Sequence, residues 1–236
     1  MNFIDKYKIP LIIIIGFTTS CKTIEKASTH GLISGYYALQ SENKNLQDVY
    51  LDISEEKIDV YPHVNRKPDK AIMFTIPLGI TDSIALKEII FKKESIDIDL
   101  TSILLKYRPS VRGLNAQLNT DLNIALYGGW RHDNYNLIGK EDPLGRRYTN
   151  VGKLGYDVGF FTGLGTTMIN AYTSQNKRND EYSGMIFQTG IAGFIESPVA
   201  SFGLSIGYDY LLNSDRKIWI YRNKPWIGFI VGVALN

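Results

Sequence analysis

From about residue 95 onward, six stretches of the chain alternate, residue by residue, between bulky apolar and small side chains. In 199–210, Ala200, Phe202, Leu204, Ile206, Tyr208 and Tyr210 share one face, and Ser201, Gly203, Ser205, Gly207 and Asp209 share the other. In 226–236, Ile227, Phe229, Val231, Val233 and Leu235 oppose Gly228, Ile230, Gly232, Ala234 and Asn236. In 121–131, Leu122, Ile124, Leu126 and Trp130 oppose Asp121, Asn123, Ala125, Tyr127 and Arg131. In 154–166, Leu154, Tyr156, Val158, Phe160 and Leu164 oppose Gly155, Asp157, Gly159, Gly163 and Gly165. Residues 184–195 are similar but less regular, and 96–107 alternate with a change of phase near Ser102 that reads as a bulge. A period of two is that of a β-strand, because successive side chains leave a strand on opposite sides. These segments therefore predict a sheet whose two faces meet different surroundings.

The small face is the informative one. Strand faces that meet water are usually rich in Lys, Glu and Thr, whereas these carry Gly, Ser and Asp. Apolar side chains toward lipid and small or polar ones toward a lumen are what a transmembrane barrel needs. Each segment has enough residues for a tilted crossing, which takes roughly 9–11. Trp130, Tyr156, Tyr208, Tyr210 and Trp226 lie near segment ends, as an interfacial girdle requires. From about residue 95 the pattern resembles the small outer-membrane β-barrel proteins of Gram-negative bacteria. That resemblance implies an all-β fold, an antiparallel up-and-down barrel of about eight strands: six from these segments and one or two from 69–93. It places Leu204 and Phe229 toward lipid and Ser205 and Gly228 inward. The alternative is a soluble barrel or sandwich in which the apolar face is the core.

The N-terminus supplies an address. Lys6 and Lys8 precede an apolar run over 9–17, the small residues Thr18, Thr19 and Ser20 follow, and then Cys21. This is the order of a secretory signal, and the run is too short to span a bilayer as a helix. The stretch Thr18-Thr19-Ser20-Cys21 resembles the lipobox of bacterial lipoproteins, although Thr18 stands where that pattern usually has Leu. It implies cleavage after Ser20, a lipid on Cys21 and, with Lys22 next, transport to the outer membrane. Cys21 is the single cysteine, so a disulfide within the chain and Cys-rich zinc sites are both excluded. The organisation expected is a signal peptide over 1–20, a lipid-anchored tether over 21–32, a β-rich N-terminal segment over 33–93 and a β-barrel over 94–236.

Within the N-terminal segment, 33–40, 46–53, 57–61 and 69–76 read as strands, with Pro62 ending the third because proline cannot donate to a ladder. Residues 82–90 predict one or two helical turns, capped by Thr81 or Asp82. Farther on, 132–152 suits a tall hairpin turning at Asp142-Pro143-Leu144-Gly145, and Glu196-Ser197-Pro198 a tight turn. Two crossings separate the long connections 171–183 and 211–224, so both belong on one side.

Motifs of catalysis are weak here. Gly203-Leu204-Ser205-Ile206-Gly207 matches the nucleophile elbow of α/β-hydrolases, but Ser205 lies mid-strand, and His30, His63 and His132 all precede it. Gly163-Leu164-Gly165 begins a nucleotide-like pattern, but Met168 replaces the third glycine and no helix follows. Asp97 and Asp99 share a strand face, as a cation site or an ordinary lumen-facing pair. His132-Asp133 is placed in a polar loop, where a lipid-modifying barrel enzyme keeps acid–base groups. The histidines are scattered, so no metal site and no cofactor are expected. A formal net charge of +2 gives no electrostatic case for nucleic acid. The expected function is a non-enzymatic outer-membrane lipoprotein with a structural or interaction role in the cell envelope and membrane lipid as its partner. The alternatives are a lipid-tethered soluble barrel that binds an apolar ligand, and a lipid-modifying enzyme.

Overall fold

A computed structural model describes residues 31–40, 45–64, 67–80, 88–196 and 201–234. Among these residues the architecture is all-β and antiparallel, with one short 3-10 turn at Ser214–Lys217. The period-two segments become long strands: β6 (Ile89–Arg108), β8 (Asn123–Glu141), β9 (Arg147–Ile169), β10 (Tyr182–Glu196), β11 (Ser201–Leu211) and β12 (Pro225–Ala234). Before them come β1 (Gly35–Gln40), β2 (Leu46–Ile53), β3 (Lys57–Val64), β4 (Lys67–Pro68) and β5 (Phe74–Pro77). The short β7 (Gln117–Asn119) lies between β6 and β8.

The six long strands pair in succession, and β12 returns to β6, with Ile227 opposite Tyr107 and Ala234 opposite Asp99. The result is a closed cylinder. The same edge of β6 is shared, because its N-terminal part pairs with β1 through Ala38 opposite Lys92. β1, β2, β3 and β5 follow in order, and the Thr149 hydroxyl of β9 donates to the Pro77 carbonyl at the end of β5. Thus β6, β8 and β9 run through two stacked bodies, the cylinder and an N-terminal body. The change of pattern near residue 93 falls inside β6, not at a break in the chain.

The two bodies obey opposite rules. Leu32, Tyr37, Val49, Leu51, Ile58, Val60, Ile76, Phe91, Tyr135 and Leu137 form an apolar core in the N-terminal body. In the cylinder the bulky apolar set is outside: Phe160, Leu164, Leu204, Ile206, Ile191, Leu126 and Ile98 are all exposed. Inside are Asp97, Asp99, Thr101, Asn123, Asp157, Gln188, Ser201, Ser205 and Asp209, with a few large side chains among them.

Differences from the sequence reading have physical causes. The cylinder has six strands, not about eight. Of the stretch 69–93, 74–77 became β5 in the N-terminal body and 89–93 became the start of β6. The change of phase in β6 falls at Leu104–Leu105, two residues past Ser102. There Ile103 and Leu105 face consecutive residues of β12, so Leu104 is the extra residue of a bulge. Pro62 does not end β3, which continues to Val64. The Pro62 carbonyl accepts from the Asp69 amide at 2.9 Å, so its nitrogen, on the same side of the strand, faces away from β2. Of the helical turns expected over 82–90, residues 89–90 belong to β6, and 81–87 lie outside the described residues. The tall hairpin is present, with β8 and β9 paired as far as Glu141 and Arg147. The left-handed Gly145 and the Asp142 carboxylate, which accepts the Leu144 and Arg146 amides, make its turn.

A narrow cylinder explains the glycines of its inner face. A Cβ on Gly207 would lie 2.6 Å from Trp226 Cζ2 and 2.9 Å from Phe161 Cζ, and one on Gly228 2.8 Å from Trp226 Cζ3. Gly128, on the outer face of β8, has nothing within 4 Å of the same position. Gly207→Val is expected to destabilise the folded protein by about 1–3 kcal/mol through overpacking. Gly128→Ala should stay within about 0.5 kcal/mol. Urea unfolding of the two variants side by side checks the contrast.

Candidate functional site: charged layers and the capped loop end

Side chains inside the cylinder are arranged in layers along its axis. The middle layer is apolar: Ile103, Ala125, Tyr127, Phe161, Ala192, Phe194, Trp226 and Ile230 fill it. Tyr127 meets Phe194 edge to face at 4.9 Å, and Phe161 lies 5.9 Å from Trp226.

Toward the loop end comes a charged layer built on Asp209. Lys106 Nζ donates to Asp209 Oδ1 at 3.0 Å and to Gln188 Oε1 at 2.8 Å. Arg108 pairs with the other carboxylate oxygen, and Trp226 Nε1 donates to Oδ1 at 2.9 Å. Both cations are almost completely enclosed. Aromatic faces supply the rest of their surroundings: Lys106 lies 4.5 Å from the Trp226 ring, and Arg108 4.8 Å from Tyr221 and 5.5 Å from Trp219. The bulge at Leu104 turns Lys106 and Arg108 inward; without it both would face out.

On the other side of the apolar layer sit the acids. Tyr127 donates to Asp157 Oδ1 at 2.5 Å, and Asp97 and Asp99 are buried nearby on β6. Arg131 bridges this group to the next level, 3.6 Å from Asp97 and 3.1 Å from Asp133, and Lys153 approaches Asp133 at 3.6 Å. This layer separates the inside of the cylinder from the apolar core of the N-terminal body.

The connections at the loop end pack against one another. Ile169, Ile186, Leu211, Trp219, Ile220 and Tyr221 form a third apolar cluster. The Ile220 amide donates to the Thr173 carbonyl at 3.0 Å, and Gln175 Nε2 to the Ile218 carbonyl at 2.7 Å. Asp215 accepts from Tyr182 at 2.6 Å and from Arg178 at 2.8 Å. Hydrogen bonds from Tyr182 and then Arg178 hold its carboxyl below the usual carboxylate range. The connections after β9 and after β11 are therefore at the same end of the cylinder, as the crossing count requires.

The residues singled out in the sequence that fall among the described ones each have a definite place. Ser205 faces inward between Ala192 and Gly228 and donates to the Gly228 carbonyl at 3.2 Å. Gly163 and Gly165 lie within β9, with no helix after them. Asp97 and Asp99 are lumen-facing, and no group of three or more His, Cys, Asp or Glu able to hold a metal occurs among the described residues. His132 is not in a loop but on the outer face of β8, stacked 5.1 Å from Tyr156 and 3.5 Å from Glu94. His63 lies 4.9 Å from Tyr36 in the N-terminal body. The structure thus keeps His132 and Ser205 on opposite faces of the sheet. Cys21 and His30 lie outside the described residues. Trp226 was placed in the girdle by its position at a strand end, but it is fully buried inside. Its parity with Gly228 and Ile230 was the available signal. Lys106 and Arg108 were missed although a change of phase anywhere between Thr101 and Lys106 puts both on the inner face; that parity was the signal.

Fold and surface together define an all-β antiparallel protein with a plugged, polar-lined closed sheet and an apolar exterior. No family model matches the chain, and no curated protein and no solved structure matches it.

Two expectations follow from the layers. Asp209→Asn leaves Lys106 and Arg108 enclosed without their counter-charge, and should cost about 3–5 kcal/mol in denaturant unfolding. The second concerns pH. Because folding depresses the Asp215 pKa, its contribution is present above the unfolded value, near 3.9, and is lost as pH falls through the lower folded value. Hydrogen exchange in 212–224 should therefore quicken below about pH 4, beyond the intrinsic pH effect. Asp215→Asn should show the faster exchange already at neutral pH and lack that transition.

Proposed function

We propose that the chain is a lipid-anchored protein of the bacterial outer membrane whose cylinder is a narrow six-stranded barrel crossing the bilayer, with a structural or interaction role and no catalysis. The observation that carries this reading is the orientation of the alternating faces. A soluble barrel would turn the bulky set inward. Here that set forms a continuous exposed belt around the cylinder, far beyond the scattered apolar residues of an ordinary surface. From Val158, opposite Trp130, to Met168 the outer face of β9 advances ten positions, which at about 3.3 Å per residue and a tilt of about 40° rises roughly 25 Å. That is the height of a barrel's lipid-facing band.

The belt ends where a membrane boundary would. Along the outer face of β8, Ile124, Leu126 and Trp130 give way to His132, Asn134 and Asn136. On β6, Ile96 is followed toward the N-terminus by Glu94 and Lys92. Trp130 and Tyr156 stand at this line, as interfacial aromatics do. Six strands are fewer than the usual minimum of eight. The inward glycines and the filled interior suit that small diameter and argue against a diffusion channel. The same packing puts Tyr127, Phe161, Phe194 and Trp226 where an apolar ligand would have to sit. A lipid on Cys21 would enter from the N-terminal body, which puts that body in the periplasm and the capped loops outside the cell.

The test is extraction. A Cys21→Ser variant exported by an ordinary signal peptide should remain in the membrane pellet after alkaline carbonate, and the wild-type N-terminus should be diacylated Cys21 by mass spectrometry. Release of the variant into the supernatant would defeat the transmembrane reading, and an unmodified N-terminus at another residue would defeat the anchor. Leu204→Arg should in addition lower stability in bilayers by about 2–4 kcal/mol if near the midplane.

A further inference from the structure

The wall of the cylinder is interrupted at the loop end. β7 pairs with β6 through residues 106–108, in the place that β8 holds farther along. β8 itself starts at Asn123, and the last contact of its approach to β9 is the Thr166 amide donating to the Leu122 carbonyl at 2.9 Å. Beyond that point β7 pairs with β6 and, among the described residues, has no ladder with β9. Between them lies a cleft of about 400 Å³ at the upper rim of the apolar belt.

The lining of this cleft is uncharged, and polar except for Leu118 and Met168. Gln117, Asn119 and Asn170 contribute amides, Thr167 and Thr173 hydroxyls, and Tyr172 and Tyr221 aromatic rings; no charged side chain takes part. The Tyr221 hydroxyl donates to Gln117 Oε1 at 2.9 Å, which fixes that amide and leaves its NH₂ to donate. Asn119 Oδ1 is shielded from solvent and has no hydrogen-bond partner among the described residues. A buried acceptor of this kind wants a donor. Tyr172 is 73% exposed, with a ring face available at the mouth of the cleft.

We propose that this cleft binds the neutral saccharide part of a ligand. A sugar hydroxyl both donates and accepts, and a planar amide offers one donor and one acceptor spaced to meet two neighbouring hydroxyls. The C–H faces of a pyranose suit a tyrosine ring. An uncharged lining selects against phosphate and carboxylate groups, which would be desolvated without a cation to pair with. Leu118 and Met168, on the belt side of the cleft, would meet the alkyl part of a glycolipid. That last element rests on the transmembrane reading; the saccharide site does not.

The experiment is an array of neutral and acidic oligosaccharides probed with the detergent-solubilised full chain. Binding to one or more neutral saccharides is expected, reduced tenfold or more by Asn119→Leu and by Tyr172→Ala. No neutral saccharide bound, or binding unchanged in both variants, would overturn the proposal. Tyr172 is at the surface, so its variant remains informative if Asn119→Leu fails to fold. A second arm compares a diglycosyl diacylglycerol in nanodiscs with the free disaccharide. Preference for the lipid form assigns the ligand to the membrane, and equal binding assigns it to soluble glycans. Because the array needs no bilayer, its failure is distinguishable from failure of the carbonate extraction.

Discussion

A strand cannot change which way a residue faces without a bulge, and β8 contains none over 123–137. Its odd residues point inward throughout: Asn123, Ala125, Tyr127 and Gly129, then Asp133, Tyr135 and Leu137. What changes is the company on each side. In the cylinder the inner residues are small or polar and the outer ones bulky; in the N-terminal body the inner residues become Tyr135 and Leu137 and the outer ones Asn134 and Asn136. β6 and β9 make the same exchange at matching positions in the ladder, with Ile96 opposite Trp130 and Trp130 opposite Val158. One continuous piece of hydrogen-bonded sheet thus carries two opposite solvation patterns. The rigidity of the ladder holds the two bodies in a fixed relation, because separating them means breaking three long strands and not a linker.

The charged layers follow from that exchange. A cylinder with its apolar residues outside has to fill its interior with something other than an aliphatic core. Six strands leave room for one layer of aromatics, made possible by the glycines opposite Trp226 and Phe161. Above and below it, polar side chains must satisfy each other because water has little access. Asp209 answers this with three donors around one carboxylate, Lys106, Arg108 and Trp226, and Lys106 donates in addition to Gln188 Oε1. Such a group is a poor source of net stability compared with a well-packed apolar one, but breaking it is costly. Its contribution is to register: only one stagger of β6 against β11 and β12 brings these partners together.

Legibility in the sequence tracked how local each determinant was. Alternation is local, and it identified the six long strands and which residues share a face, including Leu204 against Ser205. The hairpin turn at Asp142 was equally legible, since the turn chemistry sits within five residues. Strand count was not, because it depends on whether 74–77 joins the cylinder or the N-terminal body, and nothing in that short segment encodes its partner. The bulge was placed two residues early because Ser102 looks like a break in an apolar series, whereas the true break consists of two leucines. Trp226 illustrates a related failure. Residue type and position at a strand end suggested an interface, whereas parity with Gly228 and Ile230 puts it inside. His132 was put in a loop because polar residues on both faces of a strand look like a loop; they arise where β8 leaves the apolar belt.

The loop end completes the inner layering. Arg108 belongs to the Asp209 layer, yet the rings that face its guanidinium, Trp219 and Tyr221, come from the connection after β11. That connection is tied in turn to the one after β9 through Thr173, Gln175 and the Arg178–Asp215 pair. Tyr221 also donates to Gln117, just beyond the β6–β8 turn. All three connections at this end are thereby joined, and Tyr221, which makes the link to Gln117, also covers a buried cation. Long loops over a barrel mouth ordinarily carry a large entropic cost. Here each is fixed by contacts to the next and to the layer beneath, so the cleft between β7 and β9 has walls of defined shape.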